Sequence, residues 1–203
     1  APRVLDNRAA GVTHPAWSPD GRWLAYRGCS KQAYEPFPVA LYLTRGHDDE
    51  PRDLVAGRDF IVDSFDWLGH TGELLIMATS GADRYLARLS PDTGRVKRLT
   101  PKSHVLAFRS SYSVSHDGLR IACVLTCGDQ PPDVWFIETE TGLARKLTDL
   151  NPHLRERLYG PVEEVSWHAP DGLKISGVLC KPVNYDPAQR YPLIVQLHGS
   201  QVA

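Results

Sequence analysis

The stretch "AWSPDGRWLAYR", residues 16–27, combines an aromatic position, a polar turn and an apolar strand. Its turn, Ser18-Pro19-Asp20-Gly21, places proline where φ is fixed at about −65° and glycine where φ is positive. Residues on both sides of the turn suit an extended chain with one apolar face. The stretch therefore predicts two antiparallel strands joined by a tight turn.

The same pattern returns twice, in "FDWLGHTGELLIMA" (65–78) and "SVSHDGLRIACVL" (113–125). Trp17, Trp67 and Val114 hold the same place in the three copies, at spacings of 50 and 47 residues (67 − 17 and 114 − 67). The third copy repeats the Asp-Gly hairpin signal at Asp117-Gly118. We expect the repeated aromatic side chains to pack between neighbouring repeats.

Each copy is followed by two further strand patterns. The longer ones are "VALYLT" (39–44), "RYLARLS" (84–90) and "DVWFIET" (133–139), and the short closing ones are "PRDLVA" (51–56), "VKRLT" (96–100) and "ARKLT" (144–148). Leu54, Leu99 and Leu147 are equivalent, at spacings of 45 and 48 residues (99 − 54 and 147 − 99). The sequence therefore repeats a unit of four short strands.

A four-stranded unit repeated every ~45–50 residues is what a β-propeller blade requires. We therefore predict an all-β fold, a partial β-propeller of three four-stranded blades at about 12–57, 60–101 and 107–150, within a domain of residues 1–158. An unrelated β-sandwich is the alternative. The only plausible helical turn is "NPHLRERL" (151–158), with Asn151 as a possible cap and Pro152 at the first position.

Composition is that of an ordinary globular protein, with 23 basic and 24 acidic residues and a formal net charge of −1. No basic stripe indicates a nucleic-acid partner, and no apolar run approaches the ~20 residues of a membrane span. The four cysteines, at positions 29, 123, 127 and 180, form no zinc-type pair, so we expect buried thiols and neither metal nor cofactor. The chain starts at Ala1 and its only methionine is Met77, so we expect a removed leader or a piece of a longer protein.

The pattern changes after Pro161. "EEVSWHAPDGLKISGVLCKP" (163–182) predicts two strands joined by a hairpin at Asp171-Gly172, and "RYPLIVQLHGS" (190–200) contains a continuous apolar strand from Leu193 to Leu197. Strands of the second kind are usually buried on both faces, as in α/β sheets. We therefore expect the chain to pass from the propeller into a second domain.

These two segments resemble the start of the peptidase domain in the prolyl oligopeptidase family, in its acylaminoacyl-peptidase and dipeptidyl-peptidase-like branch. The resemblance implies a β-propeller joined to an α/β-hydrolase domain, with residues 159–203 as the truncated N-terminal part of that domain. It also implies that backbone N–H groups of Gly199 and Ser200 contribute to an oxyanion hole and that His198 supports that loop. The chain departs from the family at Ser200 and Gln201, where Gly-Pro is usual, and this puts the loop geometry in doubt.

The chain contains no Gly-x-Ser-x-Gly motif, so none of its residues is predicted to form the catalytic Ser, Asp and His. His116 and His168 are expected in solvated turns. Glu163 and Glu164 are adjacent on a strand and should point to opposite faces, so they should not form a converging carboxylate pair.

The resemblance therefore implies a fragment of a serine peptidase that hydrolyses short or N-blocked peptides, with the propeller as a substrate-size filter and this chain alone inactive. Two alternatives remain: a non-enzymatic binding propeller similar to TolB, and a split subunit that completes an active site with another chain. We expect a cytoplasmic protein, peptide substrates for the parent enzyme, and self-association or a completing chain through open blade edges.

Overall fold

The computed structural model describes residues 9–30, 40–45, 49–69, 71–107 and 111–197. Strands dominate this part of the chain and form four separate antiparallel sheets. In the first three sheets, consecutive strands are neighbours, which is the up-and-down order of a propeller blade. The predicted all-β partial propeller is therefore confirmed.

Blade 1 contains four strands: β1 (Ala9–Trp17), β2 (Leu24–Ser30), β3 (Ala40–Thr44) and β4 (Arg52–Asp53). Blade 2 contains β5 (Ile61–Leu68), β6 (Glu73–Ser80), β7 (Asp83–Leu89) and β8 (Val96–Arg98). Blade 3 contains β9 (Val105–Leu106), β10 (Tyr112–Val114), β11 (Arg120–Cys127), β12 (Gln130–Glu138) and β13 (Ala144–Lys146).

Blade 3 contains a fifth strand because β9 and β10 both pair with the same edge of β11: Leu106 lies opposite Leu125, and Tyr112 lies opposite Cys123. Between these pairs, Ala107 N donates to the carbonyl of Val124 over 3.0 Å. The first strands of blades 1 and 2 also carry register shifts, so an irregular first strand is common to the three blades.

The hydrogen bonds confirm the repeat that the sequence predicts. Ser18 Oγ donates to Asp20 Oδ1 over 2.6 Å, and Ser115 Oγ donates to Asp117 Oδ1 over 2.5 Å. Each serine Oγ also accepts a bond from the backbone amide five residues later. The Ser-x-Asp-Gly sequence therefore closes the same turn in blades 1 and 3 through side chains as well as backbone.

The equivalence of Leu54, Leu99 and Leu147 is also structural. The backbone amide of each leucine donates a hydrogen bond of 2.8 Å to a carbonyl of the preceding long strand. The acceptors are Leu41, Leu86 and Val134, respectively. These bonds hold the short closing strand on each blade.

Blade 2 lies between the other two blades, and its strands bury both faces. Along β6, Leu74 and Ile76 point into a core shared with blade 1, while Leu75 and Met77 point into a core shared with blade 3. This strict alternation follows from the two-residue period of a strand. At ~25 cal/mol per Å² of apolar surface, these two cores supply the main stabilisation of the stack.

Aromatic packing between blades is confirmed for one of the two repeated tryptophans. Trp67 packs against the core of blades 1 and 2, and its Nε1 donates to the carbonyl of Ala16 over 3.1 Å. Trp17 is 56% exposed and does not share this role.

A 3-10 helix, Pro152–Glu156, follows blade 3, and β14 (Val162–His168) and β15 (Lys174–Cys180) then form a two-stranded hairpin. Pro152 occupies the start of the helix as predicted. The prediction of Asn151 as a capping side chain is wrong, because that side chain makes no cap hydrogen bond. Within the described ranges, no helix has the length and apolar character needed to cross a bilayer.

Candidate functional site

The residues predicted to form the oxyanion loop, Gly199 and Ser200 with His198 beside them, lie outside the described residues. The structure describes the segment that leads to them, residues 162–197. The candidate site is therefore the junction at which this segment leaves the propeller.

The β14–β15 hairpin is built on a turn like those of the blades. Ala169 N donates the closing backbone bond to the carbonyl of Leu173 over 2.8 Å, and Leu173 N donates to Asp171 Oδ1 over 3.0 Å. The hairpin predicted at Asp171-Gly172 is thus confirmed, with alanine in place of the serine used by blades 1 and 3.

The hairpin lies against two turns of the propeller, which we call the hairpin seat: the β6–β7 turn at Gly81 and the β11–β12 turn at Gly128. A Cβ at position 81 would stand 2.7 Å from Glu164 Oε1. A Cβ at position 128 would stand 2.9 Å from Val162 Cβ. At Gly128 the neighbour is the branched side chain of Val162, so an added Cβ would force the hairpin or the turn to shift, whereas at Gly81 the end of the flexible Glu164 side chain has room to move aside. The seat therefore depends more on Gly128 than on Gly81.

Glu163 and Glu164 point to opposite faces of the hairpin, as predicted. Glu163 Oε1 forms an ion pair with Lys181 Nζ over 2.8 Å, whereas Glu164 lies at the hairpin seat. The hydrogen bond to Glu163 raises the pKa of Lys181 against a smaller opposing effect of burial. The two carboxylates do not converge, so they do not form a general acid–base pair or an amine-binding pair.

An aromatic pair fixes the loop after the hairpin. The rings of Tyr185 and Tyr191 lie 5.3 Å apart, and Lys181 Nζ lies 4.9 Å from the centre of the Tyr185 ring. Asp186 N donates to the Tyr191 hydroxyl over 3.0 Å. These contacts order the loop and direct the chain into residues 193–197.

The strand predicted from Leu193 to Leu197 is absent: the structure assigns no strand to these residues. The side chains of Leu193, Ile194, Val195 and Leu197 are 69–91% exposed. A strand needs a hydrogen-bonding neighbour, and no described strand lies beside this segment. The segment therefore presents continuous apolar surface without a sheet to receive it.

A polar crevice of about 320 Å³ opens at the end of blade 3, beside the 3-10 helix. It is lined by Asp129, Gln130, Pro131, Asp133, Lys146, Asp149, Asn151 and Arg155. Its deepest group is Asp133, which is 2% exposed. The sequence analysis missed this crevice, although an aspartate at the start of the apolar run "DVWFIE" was an available signal.

Asp133 is fully paired inside the crevice. It receives Lys146 Nζ at 2.6 Å, Thr148 Oγ1 at 2.7 Å and the amide of Leu150 at 3.0 Å. Burial would raise the pKa of Asp133, but the hydrogen bonds from Lys146, Thr148 and Leu150 outweigh it and lower the pKa to about 2. The carboxylate is therefore charged and acts as a clasp between β12 and the chain after β13, not as a proton donor or acceptor.

No disulfide involves Cys123, Cys127 or Cys180. Cys29 and Cys123 are buried, as predicted, and desolvation raises the pKa of Cys123 to about 12. The prediction fails for Cys127, which is half-buried, and for Cys180, which is exposed because β15 is an uncovered hairpin strand. Among the described residues, no group of three or more His, Cys, Asp or Glu side chains could hold a metal ion.

The histidines expected in solvated positions, His116 and His168, are both exposed. His104 is different: its ring packs edge-on against Trp135 with 4.7 Å between ring centres. Burial lowers the pKa of His104. The Oγ of Ser103 lies 2.9 Å from Nδ1 of His104.

Comparison with known proteins gives no matching family model. Among curated proteins, the chain is 24% identical over 196 residues to dipeptidyl-peptidase 5 of Porphyromonas gingivalis. The alignment covers 92% of this chain and 27% of that protein. The chain therefore spans about a quarter of the length of the curated relatives it matches.

Solved structures share the fold. A puromycin-hydrolyzing peptidase of Mycobacterium tuberculosis matches with a TM-score of 0.57 and 17% identity, over 91% of this chain and 27% of that chain. The acylaminoacyl peptidase of Pyrococcus horikoshii matches with a TM-score of 0.58 and 15% identity, over 85% and 25% of the two chains. The chain is therefore similar over about nine-tenths of its length to dipeptidyl-peptidase 5 proteins, and it shares its fold with solved peptidase structures.

Proposed function

We propose that this chain is part of a serine peptidase that hydrolyses short or N-blocked peptides by acyl transfer. Residues 1–158 contribute blades to its propeller, and residues 159–203 begin its α/β-hydrolase domain. One observation carries the proposal: three stacked blades are followed by a seated hairpin and then by the uncovered apolar segment 193–197. A parallel hydrolase sheet is the environment that such a segment requires.

The chemistry proposed for the parent enzyme is nucleophilic. A serine attacks the peptide carbonyl, a histidine takes the serine proton and later gives it to the leaving amine, and water then releases the acyl group. In this scheme, backbone N–H groups of Gly199 and Ser200 stabilise the oxyanion. The 203 residues contain no Gly-x-Ser-x-Gly, so we propose that they are inactive alone.

The propeller is proposed to act as a size filter. Aliphatic side chains fill both blade interfaces, for example Leu41 and Leu74 on one side and Leu75 and Ile121 on the other. Packing of this density leaves no passage for a folded protein between adjacent blades. Short peptides would therefore be favoured over folded proteins.

A fluorophosphonate probe tests the proposal. The 203-residue chain should show no stoichiometric labelling, whereas a chain extended by the coding sequence after codon 203 should contain Gly-x-Ser-x-Gly and label at its serine. Labelling of the 203-residue chain would contradict the proposal. Absence of the motif from the extension would instead favour the binding propeller, or a split subunit if a second chain restores labelling.

A cytoplasmic location is part of the same proposal. The support is that Cys123, Cys127 and Cys180 form no disulfide, although Cys127 and Cys180 are accessible to some degree. Free thiols persist in reducing compartments. Alkylation of intact cells, followed by counting of modified cysteines, should find all four reduced; a disulfide would contradict this location.

A further inference from the structure

A basic side chain ties each blade to the next one. In blade 1, Arg52 Nη2 donates to the carbonyl of Pro91 in the β7–β8 turn of blade 2. In blade 2, Lys97 Nζ donates over 2.5 Å to the carbonyl of Glu140 in the β12–β13 turn of blade 3. Both bonds run from the last strand of one blade to the turn before the last strand of the following blade. The same contact therefore occurs at both blade interfaces.

The two donors hold the same position in the repeat. Arg52 and Lys97 each lie two residues before the closing leucine of their blade. Those leucines, Leu54 and Leu99, make the same backbone bond to the preceding long strand. The basic residue is therefore a feature of the repeat and not an isolated surface charge.

The turns that accept these bonds are also equivalent. The β7–β8 turn (90–95) and the β12–β13 turn (138–143) are each closed by two backbone bonds of 2.9 Å. In both turns, the first residue donates to the sixth and accepts from the fifth. We call such a turn a closing turn.

Each closing turn receives a second cation from the preceding blade. Arg58 Nη2 donates to the carbonyl of Gly94, and Arg88 Nη1 donates to the carbonyl of Thr139 over 3.2 Å. Hydrogen bonds from a charged donor are stronger than those between neutral groups. The carbonyls of a closing turn therefore form a binding site for the basic side chains of the blade before it.

Blade 3 has the donor position without an acceptor. Arg145 is the equivalent of Arg52 and Lys97, because it lies two residues before Leu147, the closing leucine of blade 3. Its Cζ lies 5.8 Å from the centre of the Phe136 ring, and its side chain is exposed. No described residue accepts a hydrogen bond from this guanidinium group.

We propose that Arg145 binds the closing turn of the blade that covers blade 3, and that this blade is built from sequence preceding Ala1 in the parent protein. After blade 3, the chain enters the 3-10 helix and the β14–β15 hairpin and not a fourth blade. The covering blade is therefore assigned to the other end of the propeller. This inference rests on the further propeller blades of the function proposed above.

The tie acts mainly on the register between two blades. Apolar burial supplies the larger share of the contact energy, but it is not directional. A charged donor that must meet a carbonyl fixes how far one blade slides along the next. The Phe136 ring holds the guanidinium of Arg145 over the sheet, so less conformational entropy is lost when Arg145 binds the turn.

Photo-cross-linking in the complete parent protein tests the assignment. Arg145→p-benzoylphenylalanine should cross-link to a peptide that precedes residue 1 in the same polypeptide and contains a closing turn. Lys97→p-benzoylphenylalanine is the matched control and should cross-link to residues 138–143. Mixing with isotope-labelled protein distinguishes links within one copy from links between copies. When the control links as expected, a link from position 145 to sequence after residue 203 or to a second copy, or no link at all, would overturn the proposal.

Thermal denaturation supplies a second readout. In the 203-residue chain, Lys97→Met should lower the midpoint by about 2–4 °C, whereas Arg145→Met should leave it unchanged. In the parent protein, Arg145→Met should also lower the midpoint of the propeller transition. Arg145→Lys should preserve that midpoint, because Lys97 shows that lysine suits this position.

Equal effects of Arg145→Met in the short chain and in the parent protein would contradict the proposal, because only the parent protein contains the acceptor. Failure of Arg145→Lys to preserve the midpoint would do so too. Fluorophosphonate labelling reports the nucleophile and does not depend on Arg145. This inference and the proposed peptidase activity therefore fail separately.

Discussion

Lys146 Nζ lies 2.6 Å from Oδ2 of Asp133, a carboxylate of which only 2% is exposed. The pair joins the last strand of blade 3 to the strand before it, next to the point at which the chain leaves the propeller. Buried ion pairs are costly to break, because removal of one partner leaves the other charged and desolvated. Substitution of either residue is therefore expected to destabilise blade 3.

Asp133→Asn is expected to destabilise the chain by about 1–3 kcal/mol. The amide keeps the shape of the side chain but removes the nearer of two counter-charges from Lys146, because Asp149 Oδ1 lies 3.9 Å from Lys146 Nζ. Urea unfolding with tryptophan fluorescence measures the change, and Trp135 on the same strand serves as a probe. Asp149→Asn is the control: its ion pair with Arg155 is solvent-exposed and should contribute under about 1 kcal/mol. Equal losses in the two variants would contradict the special role of Asp133.

The same carboxylate predicts an acid-sensitive fold. Hydrogen bonds overcome burial and lower the pKa of Asp133 from 3.8 to about 2, and hydrogen bonds led by that from Ser18 lower the pKa of Asp20 to about 2. A carboxyl group whose pKa is lower in the folded than in the unfolded state stabilises the fold at pH values above its unfolded-state pKa. This contribution is lost as the pH falls to its folded-state pKa. The free energy of unfolding should therefore drop between about pH 4 and pH 2.

Asp133→Asn should remove part of that pH dependence, because the variant has no group to protonate at position 133. Unfolding free energies measured in steps across this range would show a shallower slope than in the parent chain. An unchanged slope would mean that Asp133 keeps its ordinary pKa in the folded protein.

Gly118→Val is expected to cost about 1–3 kcal/mol, because Gly118 has φ of +74° in the Ser115–Asp117 turn and a β-branched residue is strained there. Gly69→Ala is the matched control. Gly69 does not have a positive φ, and the nearest atom to its added Cβ is Pro19 Cγ at 3.9 Å. Denaturant melts that show equal effects for the two variants would argue against the turn conformation at Gly118.

The repeat could be predicted from sequence because its determinants are local. Asp20 and Asp117 each form hydrogen bonds inside the turn of their own blade, with residues fewer than five positions away. Because the side chains of a strand alternate between its two faces, the apolar residues of β6 indicate that both faces are buried. The closing leucines are found from spacing alone. These features need no knowledge of distant contacts.

Several of the departures depend on which strands and side chains meet in space. Leu193–Leu197 has the composition of a buried strand, but composition does not supply the neighbouring strand that would pair with it. The pairing of both β9 and β10 with one edge of β11 and the Asp133–Lys146 clasp likewise depend on which strands meet in space. A single sequence does not encode such pairings in a local pattern, so they could not be predicted from it.

Gly128→Ala should displace the β14–β15 hairpin from its seat. Its new Cβ would stand 2.9 Å from Val162 Cβ and 3.0 Å from Val162 Cγ2, which is closer than packed carbon atoms approach. Val162 is 43% exposed, so the hairpin is expected to move away and leave the blades folded. Hydrogen exchange should accelerate in residues 162–180 and stay unchanged in β6 and β11.

The clash can be reduced from the other side. Val162→Ala deletes both Cγ atoms, one of which would stand 3.0 Å from the new Cβ, but keeps the Val162 Cβ at 2.9 Å. Gly128→Ala combined with Val162→Ala should therefore exchange more slowly at the hairpin than Gly128→Ala alone. The interaction free energy of this double-mutant cycle should lie in the range of about 0.5–3 kcal/mol, as for residues in direct contact. Additive effects of the two changes would show that the hairpin does not rest on the turn at Gly128.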